Sequence, residues 1–308
     1  MKHTILGAGG SIGNALTYKL LENKQDVRLV SRSQFSIPGT ETVKADITSY
    51  NDTLESIKQS DIVYLCVGLQ YNYDIWKDTW PKIMHNTINA CKKVGTKLIF
   101  FDNVYMYGRV NGKMTETSPY NPCSKKGEVR AEIATLLENE MKNGNIKAII
   151  ARAADLYGPY ATKTSIPYIM VIDKLMKGKS AQWMVNVNQP HSYTYTMDCA
   201  DSLYLLANDE NSFNQVWHLP TFNPPINGKT FINMVANELG VKSKYMVLSK
   251  PMIKIGGWFD KTISEIYEMI YQNEFEYYFD SSKFNNHYNY QPKSYEDGIR
   301  ETIKFLKG

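Results

Sequence analysis

The stretch "HTILGAGGSIGNALTYKLLENK", residues 3–24, changes its hydrophobic period at its glycines, and no other part of the chain constrains the fold so tightly. Residues 3–6 read as a short apolar strand. From Ile12 onward, Ala15, Leu16, Leu20 and Leu21 recur at helical spacing. Between the two, three glycines each answer a steric demand. Gly7 permits a sharp turn, Gly10 lets the backbone approach a pyrophosphate, and Gly13 lets the helix pack closely on the strand. The first N–H groups of the helix, around Ser11 and Ile12, are then left for an anion. A second strand, "DVRLVS" (26–31), follows at the interval a dinucleotide-binding unit needs.

The end of that second strand speaks about the dinucleotide. An acid there accepts hydrogen bonds from a ribose 2′-hydroxyl. Asp26 stands at the opposite end of the strand, and the C-terminal end carries Ser31 and Arg32. No carboxylate repels a 2′-phosphate, and a guanidinium beside hydroxyls can bind one. The expectation is NADP(H), with NAD(H) as the alternative.

Beyond this unit the chain alternates strand and helix. "DIVYLCVGL" (61–69), "KLIFFDNVYMYG" (97–108) and "KAIIARAADLYGP" (147–159) read as apolar strands. Helices are expected over 80–95, ending in a Gly95 cap, and over 126–144. The fold class is therefore α/β, a doubly wound parallel sheet with its ligands at the C-terminal strand ends. A dinucleotide-binding domain is expected over 1–158 and a smaller α+β substrate part over 159–308, with a strand from 183–220 returning to the sheet.

Composition removes other classes. The net charge of +4 is small and the basic residues are scattered, so nucleic acid is not an expected partner. Four cysteines form no CxxC pair and five histidines show no ligand spacing. Neither a metal site nor a disulfide framework is expected, and a reducing cytoplasm fits. The N-terminus can pass for a weak signal peptide, but a strand, turn and helix account for it better. No apolar run reaches the length of a membrane span.

With these elements in place the chain resembles an extended, atypical short-chain dehydrogenase/reductase of the NAD-dependent epimerase/dehydratase group. Gly7, Gly10 and Gly13 match its GxxGxxG. Asp46 and Ile47 match the acid–aliphatic pair beside the adenine, and Gly68 and Leu69 the loop after the fourth strand, where Val67 and Gly68 are the candidate cofactor contacts. "YMYGRV", "ARAADLYGP" and "HSYTYTMDCADSLYLL" are similar to its VYG, R-x-x-N-x-Y-G-P and R-D-Y-x-x-V-x-D-x-A segments. The resemblance implies a Ser–Tyr–Lys catalytic set, in which the lysine also binds the nicotinamide ribose. At those places this chain carries Asn103, Lys126 and Arg130. An intact YxxxK, Tyr73 to Lys77, lies far from the expected position and reads as coincidence.

Proton transfer at a carbonyl or hydroxyl needs a donor whose pKa is not far from neutral. A lysine lowered by burial and by a neighbouring Arg130 meets that need, so Lys126 is the first candidate and a cofactor contact as well. Asn103 can orient the reacting oxygen, and Tyr105 is the rival donor. Tyr105, Asp155 and His191 are the candidate substrate contacts. Where the resemblance implies arginines gripping a sugar-nucleotide diphosphate, the chain has His191 and Ile270.

The function expected is an NADP(H)-dependent oxidoreductase acting on a hydroxyl or carbonyl of a small molecule. The alternatives are a nucleotide-sugar epimerase or dehydratase, and a non-catalytic NADP(H)-binding sensor. A homodimer through the helices at 80–94 and 126–142 is implied by the resemblance.

Overall fold

Strands that are apolar on both sides must be covered on both faces, and the chain does this with helices. The computed structural model describes residues 1–33, 35–162 and 164–308. Its centre is a seven-stranded sheet, paired in parallel throughout. The first five strands are β1 (Lys2–Leu6), β2 (Asp26–Ser31), β3 (Glu41–Lys44), β4 (Ile62–Leu65) and β5 (Lys97–Asp102). In space the order runs β3, β2, β1, β4, β5, then Ala148–Arg152 and Gln215–His218. The strand in the late part of the chain therefore does return to the sheet, pairing Trp217 with Ala151.

The order reverses between β1 and β4, so the loops after these strands part in opposite directions and open a crevice. On one face lie α2 (Tyr50–Ile57), α3 (Tyr73–Val94) and α4 (Lys125–Lys142). Their apolar sides, with Trp80, Ile83, Met84, Val129 and Leu137, pack on Leu65, Phe100 and Ile150. On the other face α1 (Ser11–Glu22) and the Thr196–Ala207 helix bring Leu16, Leu20 and Leu203 against Ile5, Ile99 and Ile149. A separate aromatic core, with Tyr157, Trp183, Tyr193, Phe231 and Tyr295, holds the C-terminal part. No helix among the described residues is long and apolar enough to cross a membrane.

One helix boundary differs from expectation. Helix α3 starts at Tyr73, not near residue 80, and Pro81 lies inside it. The true start signal is Asn72, whose Oδ1 accepts the Ile75 N–H at 3.1 Å. Proline favours a first turn but is not confined to it, since an interior one forfeits a backbone bond that packing can offset. Tyr73 and Lys77 are accordingly just the first turns of α3, with Lys77 exposed.

Candidate functional site

Most long helices of this chain are closed at the start by a side chain: Ser49, Asn72 and Ser124 cap α2, α3 and α4. Helix α1 is different. Its N-cap is Gly10, without a side-chain bond, and no acid stands in its first turn. Its first N–H groups are thus available, and the positive end of its dipole faces the crevice. Gly7 sits at φ +97°, and a Cβ there would lie 2.7 Å from the Val67 backbone. A Cβ on Gly13 would meet the Gly7 carbonyl at 3.1 Å. The glycines therefore shape a cradle that an anionic diphosphate fits.

The cradle opens into a cavity of about 800 Å³ at the C-terminal ends of β1, β2 and β4. Gly7, Gly10, Ser11 and Ile12 form its floor, Ser31 and Arg32 one end, and Asp46, Ile47, Val67 and Gly68 the flanks. Gly13 lies beneath, in the helix–strand contact. Asp46 has one of its two carboxylate oxygens engaged. Its Oδ1 accepts the Thr48 N–H at 3.0 Å and the Thr48 hydroxyl at 2.9 Å. These bonds, with Arg32 nearby, hold its carboxyl below the usual range. Sequence reasoning missed the opposite wall, which includes Thr79 of α3, Leu156, Tyr160 and Phe305. Tyr160 holds a left-handed backbone at φ +67°, uncommon for a bulky side chain. No local pattern announced it.

The residues expected to do chemistry are brought close together, but not as the sequence suggested. Asn103 uses its Oδ1 to accept the Tyr105 N–H at 3.1 Å, which leaves its amide N–H groups as the donors. Tyr105 stacks on Trp76 with centroids 6.2 Å apart. Burial pushes the Tyr105 phenol well up and Asp155 adds to the push, while Tyr71 and the Arg130 charge pull partly back. Arg130 was expected beside Lys126 as a like charge. Instead its Nε donates to Asp102 at 2.9 Å, and its guanidinium lies 4.4 Å from the Trp80 ring centre. None of Asn103, Tyr105, Lys126 and Arg130 lines the cofactor cavity itself. The Lys126 ammonium, fully buried, is held by Glu265 and Glu268. The reason is pairing: a buried cation needs an opposite charge, and each found its own.

Asp102 is the hub of a buried network. Its Oδ1 takes Arg130 and the Asn103 N–H, and its Oδ2 takes Arg152 Nε at 3.3 Å. Arg152, with no exposed surface, donates to the Tyr107 hydroxyl at 2.7 Å and to the Tyr120 hydroxyl. Tyr107 in turn bonds His218 Nε2 at 2.8 Å, while His218 Nδ1 faces the Asp280 carbonyl at 2.9 Å. The carbonyl fixes the proton on Nδ1, so Nε2 accepts from Tyr107.

Burial, helped by the Arg152 charge, pushes His218 down to about 3. A depressed histidine binds its proton more readily in the unfolded chain. Its contribution is complete above the ordinary value of 6.5 and is lost as pH falls toward 3. Unfolding free energy should therefore decline between pH 6.5 and 4. His218→Gln should flatten that decline by up to one proton, about 1.4 kcal/mol per pH unit. Denaturant titrations at pH 7, 6, 5 and 4 read this directly, and an unchanged slope in the variant would refute it.

His191 and Asp155, both expected at the substrate, pair with each other: Nε2 to Oδ2 is 2.9 Å. Asp155 opens the short strand Asp155–Tyr157, opposite Tyr193. The His191 ring lies flat on Tyr277 at 4.2 Å. Ile270 is buried with Ile253 and Met184.

Comparison with known proteins gives this geometry its context. The model of the NAD dependent epimerase/dehydratase family matches residues 3–218. The dTDP-4-dehydrorhamnose reductase of Mycobacterium tuberculosis H37Rv is 26% identical over 212 residues, 66% of this chain. The match spans 64% of that relative's length. Among solved structures, dTDP-glucose 4,6-dehydratase from Bacillus anthracis, in complex with NAD, superimposes with a TM-score of 0.82 at 16% identity. The alignment covers 100% of this chain and 96% of that one. UDP-glucuronic acid 4-epimerase from Bacillus cereus, in complex with UDP-glucuronic acid and NAD, gives 0.81 at 19% identity, covering 100% and 99%.

Proposed function

The chain belongs to the NAD dependent epimerase/dehydratase family, and from that premise we propose that it is an NADP(H)-dependent oxidoreductase that reduces a carbonyl group on a small molecule. The observation that carries this reading is the end of β2. Ser31 and Arg32 face the cavity there with no carboxylate at the strand's end. Lys44 is the register partner of Ser31 on β3, adding a second cation nearby. When bound, the cofactor supplies or accepts hydride at carbon. The chain's residues do the rest. The glycine cradle and the start of α1 hold the diphosphate, and Arg32 pairs with a 2′-phosphate.

Asn103 points its amide donors at the reacting oxygen. Tyr105, not Lys126, gives the proton. Its phenol is pushed up, so at neutral pH it is protonated and can donate to an oxygen that gains charge as carbonyl becomes alcohol. The nearby Arg130 charge stabilises the phenolate left behind. A phenol held up in this way stays protonated at neutral pH, so the phenolate that alcohol oxidation would need as base is scarce.

Fluorescence titration with NADPH and NADH tests the cofactor assignment. NADPH should bind more tightly, and Arg32→Ala should weaken it about 10–100-fold, the worth of one charge-assisted contact, with little effect on NADH. Equal affinities in the unaltered protein would overturn the assignment. A nucleotide-sugar substrate is the second reading, favoured by the resemblance to dTDP-4-dehydrorhamnose reductase. The pairing of His191 with Asp155 and the burial of Ile270 weigh against it, because neither position offers a free cation to a diphosphate.

A further inference from the structure

The mechanism above makes no use of Lys126, yet this is the most completely buried lysine-centred charge cluster of the substrate region. Its Nζ donates to Glu268 Oε1 at 2.6 Å, to the Glu265 carbonyl at 3.1 Å and to the Glu265 carboxylate, so all three protons are engaged. The Tyr71 ring lies beneath it at 4.8 Å. The same two carboxylates also take the first N–H of two helices: Tyr73 N–H of α3 donates to Glu265 at 3.0 Å, and Lys125 N–H of α4 to Glu268 at 2.9 Å. One ammonium and two positive helix ends thus converge on two oxyanions.

The two sides of this contact are not equally fixed. The Lys126 side chain is 1% exposed and belongs to α4, which is built into the sheet's covering layer. The glutamate side chains are 15% and 24% exposed. Glu265 rides on the short helix Lys261–Tyr267, none of whose residues is fully buried; Ile263, Ile266 and Tyr267 pack partly buried against Ile253 and Ile270. A helix held by partly buried side chains opens at lower free-energy cost than one in the core. One of the two carboxylates also reaches the reaction region: Glu268, like Asp155, pushes the Tyr105 phenol up. Near Tyr105 and Asp155, the Tyr271 hydroxyl is buried, with Cys123 beside it.

We propose that Lys126 is the anion-recognition residue of the substrate site, and that Glu265 and Glu268 occupy its place as displaceable internal stand-ins. This rests on the reading of the Asn103–Tyr105 region as the substrate site, and it narrows the substrate to a carbonyl compound bearing a carboxylate or phosphoryl group. That group replaces the glutamate carboxylates on Lys126 and on the Tyr73 and Lys125 N–H groups, and the Lys261–Tyr267 helix moves aside. No bond is made or broken in the exchange. A lysine with its charge matched by the chain itself stays folded without substrate, which a bare buried ammonium would not.

The test uses the full chain saturated with NADPH, so that the glycine cradle is filled, and inorganic phosphate and acetate as probes in calorimetric titrations at constant ionic strength. Glu265→Gln/Glu268→Gln should bind phosphate at least tenfold more tightly than the unaltered protein, and adding Lys126→Met should abolish the gain. No gain, or a gain that survives Lys126→Met, overturns the proposal and leaves a purely structural ion pair. Should the double variant not fold, hydrogen exchange on the unaltered protein decides. Phosphate should speed exchange across 261–268 while the Tyr73 and Lys125 amides stay protected, and unchanged exchange across 261–268 refutes the idea. Failure of NADPH to bind would count against the cofactor reading alone. The phosphate response would then still be judged by its dependence on Lys126.

Discussion

Replacing Asp102 by alanine should lower the melting temperature by roughly 5–15 °C, from a loss of about 3–5 kcal/mol. One carboxylate faces two buried guanidiniums, Arg130 and Arg152, and the Asn103 N–H besides. Removing it leaves two cations in a layer walled by Trp80, Phe100, Tyr107 and Tyr120. Arg130→Met should do less harm, because Asp102 keeps Arg152 and methionine fills the aromatic niche. Thermal melts of the two variants compare these costs. Equal losses, or a greater loss in Arg130→Met, would show that Asp102 is not the hub. The effect reaches the site, since Asn103 and Tyr105 follow Asp102 directly and depend on its position.

The second large effect concerns chemistry. Tyr105→Phe should reduce turnover of a carbonyl substrate by ~10²–10⁴, the usual worth of a placed proton donor, with NADPH affinity nearly unchanged. Lys126→Met should instead raise KM more than it lowers kcat, as expected of a binding residue rather than a proton donor. The comparison is informative because the two residues exchange roles between the sequence-based expectation and the proposed mechanism. A Tyr105→Phe enzyme with full kcat would return the proton to Lys126 or to water. If neither substitution matters and no carbonyl compound is turned over, the non-catalytic alternative gains ground.

The reversal has a physical origin. Spacing alone places Lys126 and Arg130 one helical turn apart, and two such cations invite the inference that each lowers the other's affinity for its proton. The fold instead sends Arg130 to Asp102, 28 residues back, and Lys126 to Glu265 and Glu268, 139 and 142 residues ahead. Nothing in the sequence near either residue says which carboxylate will arrive. The misplaced start of α3 has a related cause: Pro81 and Asn72 both carry start signals, and only packing of Trp76 and Trp80 into the core chose between them.

By itself the sequence determined what is local. The strand, the glycine turn and the uncapped helix follow from period and from the space a side chain would need, so the cradle of Gly7, Gly10 and Gly13 was legible in advance. So was the pairing of Ser31 and Arg32 at the end of β2, because a strand's last residues face the crevice of any doubly wound sheet. Tertiary structure decided what is distant: the Tyr160 wall of the cavity, the His191–Asp155 pair, the Asp102 hub, and the glutamates on Lys126. Backbone geometry is fixed by neighbours in the chain, whereas a buried charge is satisfied by whichever opposite charge folding delivers, and that choice exists only once the chain has closed on itself.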